Sequence, residues 1–176
     1  KLFDIYLSSV GRGSVLLLNI PPDQRGLFHE KDIKALYGLR KLIQRELGRN
    51  RALNAGATAS NVRGQAGAYA ATNVTDNNND TYWATDDNVT TASLEIDMGK
   101  VQTVKYVMLQ EYIQFGQRVK AFEVEAWTDG AWHRSASATT IGYKRILKIA
   151  PVKTGKLRIN ITASKACPVI SNVAIY

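Results

Sequence analysis

The residues that could carry acid–base catalysis are few. Glu123 and Glu125 are the best-spaced carboxylates, roughly 6.6 Å apart on one face of an extended segment. A pair of carboxylates can act as general acid and general base. These two alternate with an apolar row made of Phe122, Val124 and Ala126. We therefore expect both carboxylates to face water on the outside of a strand.

The two histidines and the single cysteine also lack partners at the sequence spacings that are typical of metal sites or catalytic triads. His29 comes just before a predicted helix, and His133 lies beside Trp132 in a predicted hairpin. No Cys/His pairing is evident for Cys167, and one cysteine excludes an internal disulfide. The sequence predicts surface histidines and a small, buried thiol.

Oxygen donors are concentrated in one tight turn at residues 76–81. Asp76 offers a carboxylate, Thr81 offers a hydroxyl five residues later, and Asn73 and Asn78 can offer backbone carbonyls. Ca²⁺ takes six to eight oxygen ligands of these kinds. The alternative is an Asn-rich turn that holds no metal, because Asn readily enters left-handed turns.

Two clusters combine an aromatic ring with planar polar groups, the combination that sugar recognition generally uses. The first follows the oxygen-rich turn, and the second occupies a predicted connection between two strands. Their members are Trp83, Asp86 and Asp87, then Glu111, Tyr112, Gln117 and Arg118. Trp83 and Tyr112 could instead be core or corner aromatics, and the second cluster could dock on a neighbouring domain.

The formal charge of +8 and the pI near 9.6 would suit an anionic partner, so the distribution of charge has to be considered. Lys and Arg are scattered singly, except for a dense cluster at residues 31–51 on a predicted helix and its exit. A solvated helix face explains that cluster, and we expect no nucleic acid partner. No apolar stretch approaches the roughly 20 residues of a membrane span, and residues 1–4 have neither the basic start nor the apolar run of a signal peptide, so export cannot be read from them.

Residues 14–47 have the pattern of a strand followed by a helix. The nearly continuous apolar run 14–20, stopped by Pro21-Pro22, predicts a strand that is buried on both faces of a parallel sheet. From residue 30 to 47, apolar side chains recur along one helical stripe: Ile33, Leu36, Leu39, Ile43 and Leu47. One strand and one helix cannot cover their own apolar surfaces, so residues 1–48 are expected to be a piece of a larger domain.

After residue 48 the helical period gives way to short alternating segments, which predict strands with one wet face. The segments are 94–98, 104–109, 122–126, 143–149, 157–161 and 169–176. Asp129-Gly130 predicts a hairpin turn between Trp127 and Trp132. Seven or more strands without a helix predict an antiparallel sandwich or barrel over residues 53–176, with 49–60 as a linker or a loose first strand.

Two blocks of sequence carry a family resemblance. Residues 10–26, VGRGSVLLLNIPPDQRG, resemble the last strand-and-helix unit of the catalytic barrel in α-L-fucosidases of glycoside hydrolase family 29. Residues 54–176 resemble the discoidin-like domain (F5/8 type C, or family 32 carbohydrate-binding) fused to those enzymes, especially at 109–113 and 116–119. The resemblance implies a mainly β chain. It consists of an eight-stranded, galactose-binding-domain-like jelly-roll β-sandwich, preceded by a strand–helix remnant of a TIM-like barrel at 1–48.

The resemblance implies that the parent polypeptide is a retaining hydrolase that removes α-1,3/1,4-linked terminal fucose. The two carboxylates that such a hydrolase needs lie on earlier barrel strands in the family, so no catalytic residue is assigned to this chain. The implied partners are the missing catalytic barrel and fucosylated or galactosylated glycans. The implied location is secreted or periplasmic.

The oxygen-rich turn is similar to the calcium loop of discoidin-type domains, in which an Asp, a Thr five residues on and a Trp seven residues on recur. Two positions depart from that pattern. Asn77 stands where Gly is usual, and Asn172 stands where the family has an acidic ligand near the C-terminus. Losing one negative charge is expected to weaken the affinity for Ca²⁺.

Three functions of different classes make different demands on these loops. A glycan-binding module predicts millimolar to micromolar sugar binding by the sandwich alone. A structural brace for the barrel predicts no sugar binding and an apolar contact with residues 1–48. An independent enzyme predicts turnover, which the absence of a suitable carboxylate pair disfavours. The loop 111–118 could both bind sugar and shape the rim of a fucosidase pocket.

Overall fold

The computed structural model describes all 176 residues and contains two α-helices followed by seven β-strands. The helices are α1 (Leu2–Ser8) and α2 (Glu30–Leu47). The strands are β1 (Gly56–Ala59), β2 (Trp83–Ala84), β3 (Ala92–Glu111), β4 (Val119–Thr128), β5 (Ala131–Ala138), β6 (Arg145–Ser164) and β7 (Val169–Ile175). Neither helix combines the length and the apolar character that crossing a lipid bilayer demands.

All strand pairs are antiparallel, in the order β2-β7-β3-β6-β4-β5, with β1 added beside β3. The two longest strands, β3 and β6, have 20 residues each and pair with each other over most of their length. The first half of β3 pairs with β1 and with the part of β6 that adjoins β4, whereas its second half pairs with β7. The sheet therefore folds over itself into two layers that share β3 and β6.

The main core, of 21 buried residues, fills the space between the layers. It takes Leu94 and Ile96 from the first half of β3, and Val107 and Leu109 from the second half. Each fully buried aliphatic side chain contributes about 1.5–3 kcal/mol to folding. The predicted β-sandwich is confirmed, and its core holds both halves of the long strands together.

The strand count differs from the eight that the family resemblance implies. The sequence predicts separate strands at 94–98 and 104–109 and at 143–149 and 157–161, but the structure joins each pair into one strand. Register shifts between Asp97 and Gln102 let the backbone turn a corner without ending the ladder, and Gly99 takes a φ of 72° there. The predicted hairpin is confirmed, because Trp127 pairs directly with Trp132.

The N-terminal segment forms the predicted helix but not the predicted strand. α2 spans the expected residues, whereas residues 14–20 form no strand, and Val15 and Leu17 are 91% and 82% exposed. The strand prediction is wrong for this chain because a strand needs a neighbour to accept its hydrogen bonds, and residues 1–176 provide none. No residue of α2 is buried. Part of the apolar surface of this unit is left uncovered, including Ile33 and Tyr37 of α2.

The first helix and the segment 49–60 are both attached to the sandwich. α1, which the sequence pattern did not predict, packs Phe3 edge-on against Tyr106 of β3, with ring centroids 6.0 Å apart. Within 49–60, Ala52 is fully buried and the Arg51 N–H donates to the Ile175 carbonyl. The segment also contains β1, in agreement with the loose first strand rather than with a free linker.

Candidate functional site

Trp83 belongs to the core and cannot serve as a sugar platform. It lies on the two-residue strand β2, is 0% exposed, and donates from its indole Nε1 to the Asn61 carbonyl at 2.9 Å. Full burial leaves no ring face for a ligand. The prediction that Trp83 contacts sugar or another domain is therefore wrong, and its core alternative is correct.

Glu111 is also buried, and backbone donors engage both of its carboxylate oxygens. One oxygen accepts from the N–H groups of Arg118 and Val119 at 2.7 and 2.8 Å, and the other accepts from Gly142 at 2.6 Å. The residue is 3% exposed. Glu111 therefore fastens both ends of the loop 112–118 and does not contact sugar itself.

Four aromatic rings gather at the loop end of the sandwich. Tyr82 lies at the centre of this group, with ring centroids 5.6 Å from Tyr69, 4.5 Å from Tyr112 and 5.6 Å from Phe115. Burial raises the pKa of Tyr82, and the neighbouring Tyr69 and Tyr112 add to the rise. The phenol is therefore neutral at physiological pH and keeps its hydrogen-bond donor.

A cavity of about 270 Å³ opens beside these rings. We call it the aromatic pocket, lined by Arg63, Tyr69, Tyr82, Ala84, Asp87, Phe115, Arg118 and Val169. Predicted residues Asp87 and Arg118 line it, and predicted Tyr112 supports it from behind by packing on Tyr82 and Phe115. The structure thus brings together three members of the two predicted sugar-binding clusters.

Two guanidinium groups hold the polar side of the aromatic pocket. Arg63 pairs with Asp87 and lies with its guanidinium carbon 5.7 Å from the centre of the Tyr69 ring. Arg118 lies 5.6 Å from the centre of the Phe115 ring and donates to the Cys167 carbonyl at 3.0 Å. Both stack on aromatic faces, a favourable arrangement for a cation. The pocket therefore presents ring faces, donors and one carboxylate together.

Cys167 is buried, as predicted, but it is not surrounded by apolar groups alone. Its thiol sulfur lies 2.8 Å from Nη1 of Arg118 and 3.1 Å from Nη2 of Arg63. The residue as a whole is 3% exposed. The sulfur therefore joins the two arginines from below the pocket, a contact between residues up to 104 positions apart.

The remaining predicted residues lie outside the aromatic pocket. Asp86 accepts hydrogen bonds from the Gly64 N–H at 2.8 Å and the Asn61 amide at 2.9 Å. These two bonds, the Gly64 N–H first, lower the pKa of Asp86. Asp86 therefore ties the loop that carries Arg63 in place. Gln117 is exposed, and its side chain lies beside Gly142.

Sequence reasoning missed Arg63, Tyr69, Tyr82 and Phe115. Only Tyr82 left a usable signal, because it directly precedes β2 and consecutive side chains of an extended chain point to opposite sides, so Tyr82 faces away from the buried Trp83. The other three lie in loops and 3₁₀ turns, where no periodicity fixes the direction of a side chain.

The oxygen-rich turn brings three of the predicted calcium ligands together. The Thr81 hydroxyl oxygen lies 2.6 Å from Asp76 Oδ2 and 3.0 Å from the Asn78 carbonyl oxygen. Asn77 adopts a left-handed φ of 60°, as expected for Asn in the usual Gly position. Hard oxygen donors of these three kinds fit Ca²⁺.

The other two predicted ligands are placed less directly. The Asn73 side chain donates to the Ala68 and Tyr82 carbonyls at 2.9 and 3.0 Å, which ties the start of the turn to the backbone of Tyr82 in the aromatic pocket. Asn172 lies on β7 and is 8% exposed. Nowhere in the chain do three His, Cys, Asp or Glu side chains converge as metal ligands. Any calcium here would depend on one carboxylate.

The carboxylates and histidines considered for catalysis take part in surface contacts. Glu123 pairs with Arg134 at 2.9 Å, and Glu125 pairs with Arg158 at 2.6 Å. His29 caps α2 by accepting from the Lys31 N–H, and His133 is exposed on β5.

Comparison with known proteins identifies the sandwich. The family model described as the F5/8 type C domain matches residues 56–173. A chitosan-binding module from a Paenibacillus sp. IK-5 chitosanase/glucanase has a TM-score of 0.65 and 21% identity, covering 72% of this chain and 97% of that module. At this identity the likeness shows a common fold.

The whole chain is similar to part of longer proteins. Alpha-L-fucosidase 1 of Arabidopsis thaliana is 32% identical over 180 residues, covering 100% of this chain and 36% of that protein. A relative from Oryza sativa subsp. japonica, also named as an alpha-L-fucosidase, is 37% identical over 177 residues, covering 99% and 34%. The Ruminococcus gnavus family 29 fucosidase solved in complex with fucose is 32% identical with a TM-score of 0.90, covering 99% and 36%.

The chain thus spans about a third of the length of the curated relatives that it matches. The match includes both the N-terminal helices and the sandwich. The chain belongs to the F5/8 type C domain family and corresponds to the C-terminal part of α-L-fucosidase-like chains.

Proposed function

We propose that this chain is the glycan-binding accessory domain of an exo-acting, retaining α-L-fucosidase that removes terminal fucose from glycans. The observation that carries the proposal is the aromatic pocket, where Tyr82 and Phe115 stand beside the guanidinium of Arg118 and the carboxylate of Asp87. Its volume lies just below the roughly 300 Å³ at which small-molecule sites begin, which suits a short terminal sugar group rather than a long chain.

The pocket offers both of the contacts that a sugar ring needs. The apolar C–H face of a pyranose can stack on Phe115, which is 49% exposed. The Asp87 side chain is 80% exposed, and only one of its oxygens is engaged by Arg63, so the other can accept from a sugar hydroxyl. Arg118, which also lines the pocket, supplies planar donors.

An accessory domain of a fucosidase is expected to contact the catalytic barrel, and the N-terminal unit offers a surface for that contact. Apolar side chains remain exposed on this unit, namely Val15, Leu17, Leu27, Phe28, Ile33 and Tyr37. So many exposed large apolar side chains on one short unit are unusual on a free surface. A barrel formed by the rest of a fucosidase-like chain would cover it and would supply the two catalytic carboxylates. A domain that only braces this barrel, without binding glycans, is the competing function.

Sugar titration separates the two functions. We expect fucosylated or galactosylated oligosaccharides to bind the 176-residue chain with a Kd in the millimolar to micromolar range. Phe115→Ala is expected to weaken binding about tenfold, because a lost stacking contact is worth roughly 1.4 kcal/mol. Isothermal titration calorimetry measures both affinities.

Trp127→Ala is the matched control, since Trp127 is an aromatic residue 39% exposed at the opposite end of β4 from Arg118. The Trp127→Ala variant should bind the same sugars with the affinity of the unsubstituted 176-residue chain. Flat isotherms across the whole set of oligosaccharides would leave the brace as the function.

We also propose that the oxygen-rich turn holds a structural Ca²⁺, on the strength of the three oxygens that converge at Asp76, Asn78 and Thr81. A bound cation would neutralise the Asp76 carboxylate and cross-link the turn. Asn73 then transmits that rigidity to Tyr82 through its hydrogen bond to the Tyr82 carbonyl. With one carboxylate, the affinity should lie near the roughly 10⁻⁴–10⁻³ M of extracellular modules.

Calcium should therefore raise the melting temperature of the chain, and EDTA should reverse the effect. At about 10 mM Ca²⁺ the expected stabilisation is roughly 1–3 kcal/mol, from the mass-action relation for a ligand that binds only the folded state. Asp76→Ala should abolish the calcium-dependent shift, whereas Asp80→Ala, an exposed carboxylate of the same turn, should retain it. A shift of the same size in both variants would refute the site.

A further inference from the structure

Arg145, the first residue of β6, is the one half-buried arginine whose side chain makes no ion pair or hydrogen bond within the chain. Its Nε atom is buried and has no hydrogen-bond partner. The other half-buried arginines each donate to at least one acceptor: Arg51, Arg63, Arg118 and Arg158. A partly buried cation without an acceptor is costly, and proteins almost always pair it.

The surroundings of Arg145 make its isolation more unfavourable. Burial lowers the pKa of Arg145, and the like charge of nearby Arg12 lowers it further. Arg12 itself is exposed and takes part in no ion pair. The two side chains thus form a small patch of positive charge, and none of the carboxylates in the chain reaches it.

The backbone explains how this patch arises next to the uncovered N-terminal unit. Gly11 is seated so closely on β6 that a Cβ added to it would lie 3.3 Å from the Cβ of Ile146. That close approach brings Arg12 beside Arg145. The exposed apolar run begins only two residues later, at 14–20, with Val15 and Leu17.

We propose that a carboxylate of the catalytic part of the parent polypeptide inserts between Arg12 and Arg145 and completes this interface as a buried ion pair. The planar fork of a guanidinium matches a carboxylate with two parallel hydrogen bonds, which makes Asp or Glu the natural partner. The polar pair fixes the register of the docked barrel, because the apolar contact beside it is not directional. The inference rests on the proposed contact with the barrel.

The test compares one substitution in two settings, the 176-residue chain and the full polypeptide that contains it. Arg145→Met should leave the melting temperature of the 176-residue chain unchanged or raise it, because it removes an unpaired cation from a half-buried position. In the full polypeptide it should lower the melting temperature of the barrel–sandwich unit by roughly 3 °C or more, because it leaves a carboxylate unpaired. Arg145→Lys, which keeps the charge but loses the fork, should give a smaller decrease.

Arg134→Met is the control, because Arg134 pairs on the surface with Glu123 inside this chain and should respond equally in both settings. An effect of Arg145→Met that is the same in both settings overturns the ion pair. Leu17→Asp tests the barrel contact separately. If Leu17→Asp destabilises the full polypeptide and Arg145→Met does not, the ion pair alone is wrong; if neither does, the barrel contact itself is wrong.

Discussion

Replacing Glu111 with Ala should destabilise the chain by about 3–5 kcal/mol, because three backbone N–H groups lose their acceptor at once. Each orphaned donor costs about 1–3 kcal/mol where water cannot reach it. The donors of Val119 and Gly142 are buried, whereas water can partly solvate that of Arg118. Urea unfolding followed by tryptophan fluorescence measures the change in the free energy of unfolding.

Glu111→Gln gives a graded version of the same experiment. The amide keeps one acceptor oxygen, so we expect about half of the loss seen with Ala. Glu123→Ala is the control, since its exposed ion pair with Arg134 contributes at most about 1 kcal/mol. Equal losses for Ala and Gln at position 111 would contradict the role of the carboxylate as an acceptor for several donors.

Glu111→Ala should also reduce glycan binding without touching the ligand. The loop that Glu111 fastens carries Phe115 and Arg118, two of the residues that line the aromatic pocket. If the loop loosens, the sugar has to order it again on binding, and part of the binding free energy is lost. We therefore expect the Kd for the sugar to rise while the number of sugar molecules bound per chain stays the same.

The second large effect is expected at Trp83. Trp83→Ala should cost about 3–5 kcal/mol, because it removes a fully buried indole from the core and leaves a cavity. It also removes the donor that holds the Asn61 carbonyl, so the loop carrying Asp86 and Arg63 should loosen. Equilibrium unfolding in urea measures the loss of stability.

Two further variants separate these contributions. Trp83→Phe keeps an aromatic ring but lacks the N–H group, and it should cost less than Ala. Trp127→Ala removes a half-exposed indole that packs edge to face against Trp132, with ring centroids 5.2 Å apart, and should cost roughly 1 kcal/mol. A loss for Trp83→Ala no larger than that for Trp127→Ala would show that the core tolerates the change.

The fold could be predicted wherever the sequence has a clear period. The stripe from Ile33 to Leu47 predicted α2 at its observed bounds, and the alternating segments predicted the sandwich. The strand at 14–20 failed for a physical reason, since an apolar run predicts burial only when the residues that cover it are present. The division of β3 and of β6 into two strands was predicted wrongly, because a bulge inside a strand and a turn between two strands use the same residue types.

The aromatic pocket was predictable only in part. Asp87, Tyr112 and Arg118 were found because they stand near recognisable loops, but Trp83 was assigned to the ligand when its neighbour Tyr82 faces the pocket. The Arg63 guanidinium contacts the Cys167 sulfur, although the two residues are 104 positions apart in the sequence. A local sequence pattern cannot predict a contact of that range. Spacing therefore identified the loops that form the site more reliably than the side chains that line it.

The two long strands have a consequence for how the domain opens. Because β3 and β6 each pass through both layers, separating either layer breaks the backbone ladder that the other layer shares. We expect amide hydrogen exchange in the regularly paired halves of both strands to require global unfolding, with the same opening free energy on either side of the bend. The short strands β1 and β2, with four and two residues, should exchange earlier by local fraying.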